Sequence, residues 1–113
     1  MRILQSKISL SEIWDKRETP TSDILKIVVD IKRNILAVDA EMHADLEELL
    51  LENGSNQEDL WGANLFPERV DNSYIEYTSF INIRPAQGNR SMEVQDENIK
   101  NRISEIINQL IKK

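Results

Sequence analysis

Ile24-Leu25-Lys26-Ile27-Val28-Val29-Asp30-Ile31-Lys32-Arg33-Asn34-Ile35-Leu36-Ala37-Val38 is the stretch whose reading decides the fold. It is dense in isoleucine and valine, whose branched Cβ atoms favour the pleated sheet. Asp30-Ile31-Lys32-Arg33-Asn34 interrupts it with polar residues, and asparagine tolerates the left-handed conformation a tight reversal requires. The segment therefore reads as a β-hairpin over about 24–39, with one continuous helix as the competing reading.

Working outward, Ala40 to Asn53 carries Met42, Leu46, Leu49 and Leu50 at helical spacing, and Gly54 stands where a helix C′ residue belongs. This predicts a helix over about 41–53. Ser55-Asn56-Gln57-Glu58 then has a capping-box spacing that opens a single tight turn. Leu60 to Phe66 reads as a strand ended by Pro67. Tyr74 to Arg84 alternates with period two and is ended by Pro85, so a second hairpin is expected over about 60–84. Its one face carries Ile75, Tyr77, Ile81 and Ile83; the other carries Glu76, Thr78, Asn82 and Arg84. After a polar loop over 84–95, Asp96 caps a helix over about 97–112 with Ile99, Ile103, Ile106, Ile107 and Leu110 on one stripe. Before the first hairpin, Ser9 and Glu12 frame a short helix over 9–17, and Glu18 to Ser22 is turn-like around Pro20.

The element order is α-ββ-α-ββ-α. It predicts one α+β domain of two layers: a mostly antiparallel four-stranded sheet from two hairpins, with the two main helices on one face. The chain has 113 residues, 40% hydrophobic and 30% charged, as befits one globular domain. No apolar run is long enough to cross a bilayer, and Met1 to Lys7 is too short and polar for a secretory signal. With no cysteine and one histidine, disulfides, thiol chemistry and multi-histidine metal sites are excluded within the chain. A cytoplasmic location is the expectation.

Fourteen basic and twenty acidic side chains give a net charge of −6, which argues against binding to long nucleic acid. The charge is uneven. Residues 1–38 carry 7 basic and 5 acidic groups, residues 39–76 carry 1 and 11, and residues 77–113 carry 6 and 4. Mildly basic ends flanking an acidic middle suggest that the ends fold onto the middle, or onto a second copy of it. A simple solvated acidic face is the alternative.

His43, near the start of the second helix, lies four residues before Glu47 and close to Asp45. A histidine oriented by a carboxylate is the arrangement of a general base. The same spacing also describes an ordinary helical ion pair. Glu41, Asp45, Glu48 and Glu52 form an acidic stripe that reads as solvated surface rather than a cation site, so no metal is expected. In the loop after the second hairpin, Arg84 and Arg90 bracket Gln87, Gly88 and Asn89, a combination suited to a small phosphate or carboxylate. The competing reading is a structural loop whose arginines pair with the acidic helix. Trp61 and Asn64 lie in a predicted strand whose neighbour carries Ser79 and Asn82; buried asparagine and serine there would line a pocket or pair with one another, while Trp61 itself reads as core.

The strings Val28-Val29-Asp30, Glu41-Met42-His43-Ala44-Asp45, Gly54-Ser55-Asn56-Gln57-Glu58-Asp59-Leu60-Trp61-Gly62-Ala63-Asn64 and Ser79-Phe80-Ile81-Asn82-Ile83-Arg84-Pro85-Ala86-Gln87-Gly88-Asn89-Arg90-Ser91 resemble an uncharacterised prokaryotic family, domain of unknown function 5674. The resemblance covers roughly residues 24–112. It implies one compact domain and carries no activity or cofactor. Asp39-Ala40 departs from it where small glycines often precede the Glu-x-His, and Glu97 stands where a proline often starts the last helix.

Two functions follow from the residues. The preferred one is a small self-associating interaction or binding module, a homo-oligomer or the partner of another protein. The other is a small hydrolase or nuclease acting on a phosphate-bearing substrate through His43, Arg84 and Arg90.

Overall fold

The structure, a computed structural model, describes residues 1–19 and 23–113. The hairpin that decides the fold is present as β3 (Leu25–Asp30) and β4 (Ile35–Val38), paired antiparallel with Ile27 opposite Val38 and Asp30 opposite Ile35. Asp30 makes the reversal. Its Oδ1 accepts the N–H groups of Lys32 and Arg33, both at 2.9 Å, and Asn34 takes the left-handed φ of 58°.

Around this pair the sheet has five strands in the order β1-β4-β3-β5-β6, all antiparallel. β5 (Leu60–Leu65) pairs with β3 along its whole length, and β6 is Ile75–Glu76. β1 (Arg2–Leu4) lies beside β4 and supplies a strand the sequence did not announce. Three residues without a periodic run offer little to read.

The expected α+β class and mostly antiparallel sheet are present, but the helices lie on both faces rather than one. Ile27, Val29, Leu36, Val38, Trp61, Ala63 and Leu65 pack toward α1 (Leu10–Asp15) and α3 (Glu97–Leu110). Val28, Ala37 and Leu60 pack toward α2 (His43–Glu52), under Leu46 and Leu50. The reason is visible in Ile27-Val28-Val29 and Leu36-Ala37-Val38. These runs are apolar at every position, so both faces of the central strands must be covered. Burying each large aliphatic side chain of α3 contributes about 1.5–3 kcal/mol relative to leaving it in water.

Helix ends follow the capping expectations. Ser9 accepts the N–H of Glu12 at 3.2 Å, and Asp96 accepts those of Asn98 and Ile99. Gly54, at φ 104°, follows α2. Ser55 is not a cap: its hydroxyl donates to Asp30 at 2.6 Å and accepts from Arg33 at 2.8 Å, tying the β3–β4 reversal to the end of α2. α3 stops at Leu110 because Ile111–Lys112 forms β7, which pairs in parallel with β2 (Ile8–Ser9). The turn expected at Pro20 lies outside the described residues.

Asp39 adopts φ 76°, a left-handed geometry that explains why glycine suits this position. Burial works against its charged form. The N–H groups of Glu18 and Thr19, at 2.8 and 2.9 Å, outweigh that and hold the carboxyl below its usual range.

The second hairpin departs most from expectation. Only Ile75–Glu76 pairs with β5; the chain then turns away through 3-10 turns at Phe80–Asn82 and Pro85–Gln87. Tyr77 and Ser79 pair instead with the 92–94 segment, Val94 donating to Tyr77 and Ser79 to Met92. The Asn82 side chain takes the place of the missing strand. Its Oδ1 accepts the Gly62 N–H at 2.9 Å, and its Nδ2 donates to the Gly62 carbonyl at 3.0 Å and to that of Met92 at 3.1 Å. One amide thus satisfies both polar groups of a buried strand residue.

Candidate functional site

α2 begins at His43, and the residue before it, Met42, offers no side-chain cap. His43 is 8% exposed, with its Nε2 at 2.8 Å from the Ala63 carbonyl of β5. A carbonyl only accepts, so Nε2 carries the proton of the neutral ring. Burial pushes the His43 pKa below the usual histidine value. The Lys26 ammonium acts in the same direction, while the Ala63 carbonyl, Asn64 and Glu76 favour the charged ring.

A cleft of about 270 Å³ opens between the start of α2 and the segment after β6. His43, Lys26, Glu41 and Ser79 give it polar walls, and Met42 and Phe80 form much of its apolar rim. Phe80 is 78% exposed and Met42 60% exposed. The cleft can therefore take an apolar group beside hydrogen-bonding and charged neighbours.

The structure separates the other sequence-predicted residues into distinct roles. Glu47 makes no ion pair with His43; its carboxylate meets Arg84 at 3.3 Å. Asp45 lines a different groove, with Met1, Glu48 and Glu52. Arg84 also donates to the Leu60 carbonyl and lies 4.9 Å from the Trp61 ring centroid. Burial lowers the Arg84 pKa and Glu47 opposes that shift. Neither Arg84 nor Arg90 lines the His43 cleft.

In the polar loop, Asn89 is the hub rather than an outward donor. Its Nδ2 donates to the carbonyls of Asn82, Ser91 and Glu93, and its Oδ1 accepts from Gln95. Gln87 donates to the Glu58 carbonyl at 3.0 Å. Arg90 is exposed, and its guanidinium makes no ion pair among the described residues. Trp61 is core, at 1% exposure, and Asn64 donates to Glu76 at 2.9 Å and to the Thr78 carbonyl. Among the described residues no group of three or more His, Asp or Glu converges to hold a metal ion, and no helix is long and apolar enough to cross a membrane.

Sequence reasoning did not single out Lys26, Met42 or Phe80 for this site, and it set Ser79 beside Asn82 as a pocket-lining residue without linking it to His43. One signal was present: Phe80 occupies the polar register of the alternating run, a large ring on the side expected to face water.

The direction of the His43 shift fixes a pH effect. A base whose folded pKa is lowered leaves the unfolded chain binding more protons, so its contribution is complete above about 6.5, the unfolded histidine value. That contribution is lost as pH falls below it. Urea unfolding at a series of pH values is expected to show less of this acid-side loss in His43→Gln than in the unaltered chain.

A family model described as a protein of unknown function, DUF5674, matches residues 2–110, so the likeness includes the N-terminal strand and α1 as well as the region after residue 24. No curated protein and no solved structure matches the chain. The chain belongs to the DUF5674 family.

Proposed function

We propose that this protein is a cytoplasmic, self-associating binding module whose docking surface is the rim of the His43 cleft. The observation that carries the reading is the exposure of Phe80 and Met42, two large apolar side chains bordering one cavity. A solitary domain gains nothing from presenting them to water, whereas apolar side chains beside a pocket are typical interface anchors.

The occupant is a second copy of the chain. Lys26 and Glu41 line the same cleft, and neither forms an ion pair among the described residues. A two-fold axis through the patch would set Lys26 of each copy against Glu41 of the other. The hydrolase reading lacks comparable support, because the cleft that holds His43 contains neither arginine.

Sedimentation equilibrium from low to high micromolar concentration tests the proposal. A concentration-dependent dimer is expected, and Phe80→Glu should weaken it by about tenfold or more, as loss of an aromatic anchor does. A strict monomer at high micromolar concentration, indifferent to salt, would overturn it.

A further inference from the structure

Of the residues that line the cleft between the start of α2 and the segment after β6, His43 alone changes charge near neutral pH. Its setting leaves one place for a second proton. Nε2 already donates to the Ala63 carbonyl, so Nδ1 must take it. What little of His43 is exposed borders the cleft, and the water that would hydrate an imidazolium is therefore the water of the cleft.

The groups around the ring come from several elements. Lys26 of β3 resists a charge on it, and so does the positive end of α2, whose first residue is His43. Asn64 of β5 and Glu76 of β6 favour the charge, but the Asn64 amide engages the Glu76 carboxylate at 2.9 Å. Glu47, one turn along α2, is taken by Arg84, and Asp45 lines a different groove. Ser79 is neutral, and its hydroxyl accepts the Ile81 N–H. Glu41 remains, on the wall of the cleft.

Resting on the self-association proposed above, we infer that protonation of His43 gates it: two copies pair while the ring is neutral and part when it takes a second proton. Pairing would lay Phe80 and Met42 over the cleft and expel its water. An imidazolium sealed there would lose its hydration and gain no anion, since Glu41 would be matched by Lys26 across the two-fold axis. The neutral ring loses far less. By linkage the ring's pKa falls further in the dimer, beyond the lowering that burial already causes in the single chain. Association is therefore complete above the pKa of the ring in the single chain and is lost as pH falls through it. Each dimer covers two rings, so the dissociation constant rises by up to about 100-fold per pH unit on the acid side.

Sedimentation equilibrium at about pH 7.5 and about pH 5 tests the gate, with far-UV circular dichroism to keep both conditions within the folded range. The dissociation constant of the unaltered chain is expected to rise about tenfold or more at the lower pH. In His43→Gln it should change by less than about twofold, whatever its value at the higher pH. Ring-proton NMR gives a second readout that needs no variant, because the chain has one histidine. Its titration midpoint should be lower at about 1 mM chain than at about 20 µM. A dimer equally tight at both pH values, a weakening shared by His43→Gln, or a midpoint indifferent to concentration would overturn the gate and leave self-association standing. A chain monomeric at both pH values would overturn self-association and the gate with it.

Discussion

Gly62→Ala is expected to lower stability by about 3 kcal/mol or more, at or beyond the upper end of overpacking effects. A Cβ at this position would lie 2.5 Å from Ser79 Cβ and 2.7 Å from Ser79 Oγ. Neither atom can yield freely. Ser79 is held through its N–H to the Met92 carbonyl, and its hydroxyl accepts the Ile81 N–H. Gly62 is held in turn by the two bonds to Asn82, so the strand cannot slide aside. Chemical denaturation of the single variant, and of Gly62→Ala combined with Ser79→Gly, makes the measurement; the pair should recover much of the loss. A Gly62→Ala midpoint equal to the unaltered one would mean that the 79–83 segment does not sit on β5. The same contact holds Ser79 and Phe80 at the His43 cleft, so a folded Gly62 variant should also self-associate poorly.

Arg84→Leu is expected to cost about 3–5 kcal/mol, the range seen when one partner of a buried ion pair is removed. The side chains of Arg84 and Glu47 are 10% and 15% exposed. Losing the guanidinium leaves the Glu47 carboxylate and the Leu60 carbonyl without their donor and uncovers the Trp61 ring. Replacing both residues by leucine should recover most of the loss, since the desolvation cost of both charges disappears. Urea unfolding of the two single variants and the double variant gives the coupling directly. A single Arg84→Leu variant as stable as the unaltered chain would mark Arg84 as a side chain held for a ligand instead.

Much of this fold is legible in the residues. The Asp30–Asn34 reversal, the helix ends at Ser9, Gly54 and Asp96, and the isoleucine stripe of α3 are local signals, decided within a few residues. The position of α2 is not local. It follows from the continuous apolar runs of β3 and β4, whose strand propensity is plain locally while the need to cover both faces shows only in the assembled sheet. The 77–84 segment misleads for another reason. Its alternation is genuine, but Asn82 satisfies Gly62 with a side chain, so the backbone is released from the sheet and the pattern continues without a strand.

The site was legible only in pieces. His43 stood out as the single histidine, and its contact with Ala63 depends on strand order that no spacing encodes. Glu47 lies within helical reach of His43, yet the stronger claim on it comes from Arg84, distant in sequence and invisible to an i, i+4 argument.

The β2–β7 pair has a kinetic meaning. It joins Ile8 and Ser9 to Ile111 and Lys112 through two residues on each side, so nearly the whole chain is the loop that must close before it forms. Closing so long a loop is entropically costly, and so small a contact returns little until α3 has already docked. The clip should therefore assemble last on folding and open first under mild denaturation. The β2–α1 segment would then loosen while β1 stays paired with β4 in the central sheet, giving the domain a partially open form with its own, lower protection against hydrogen exchange.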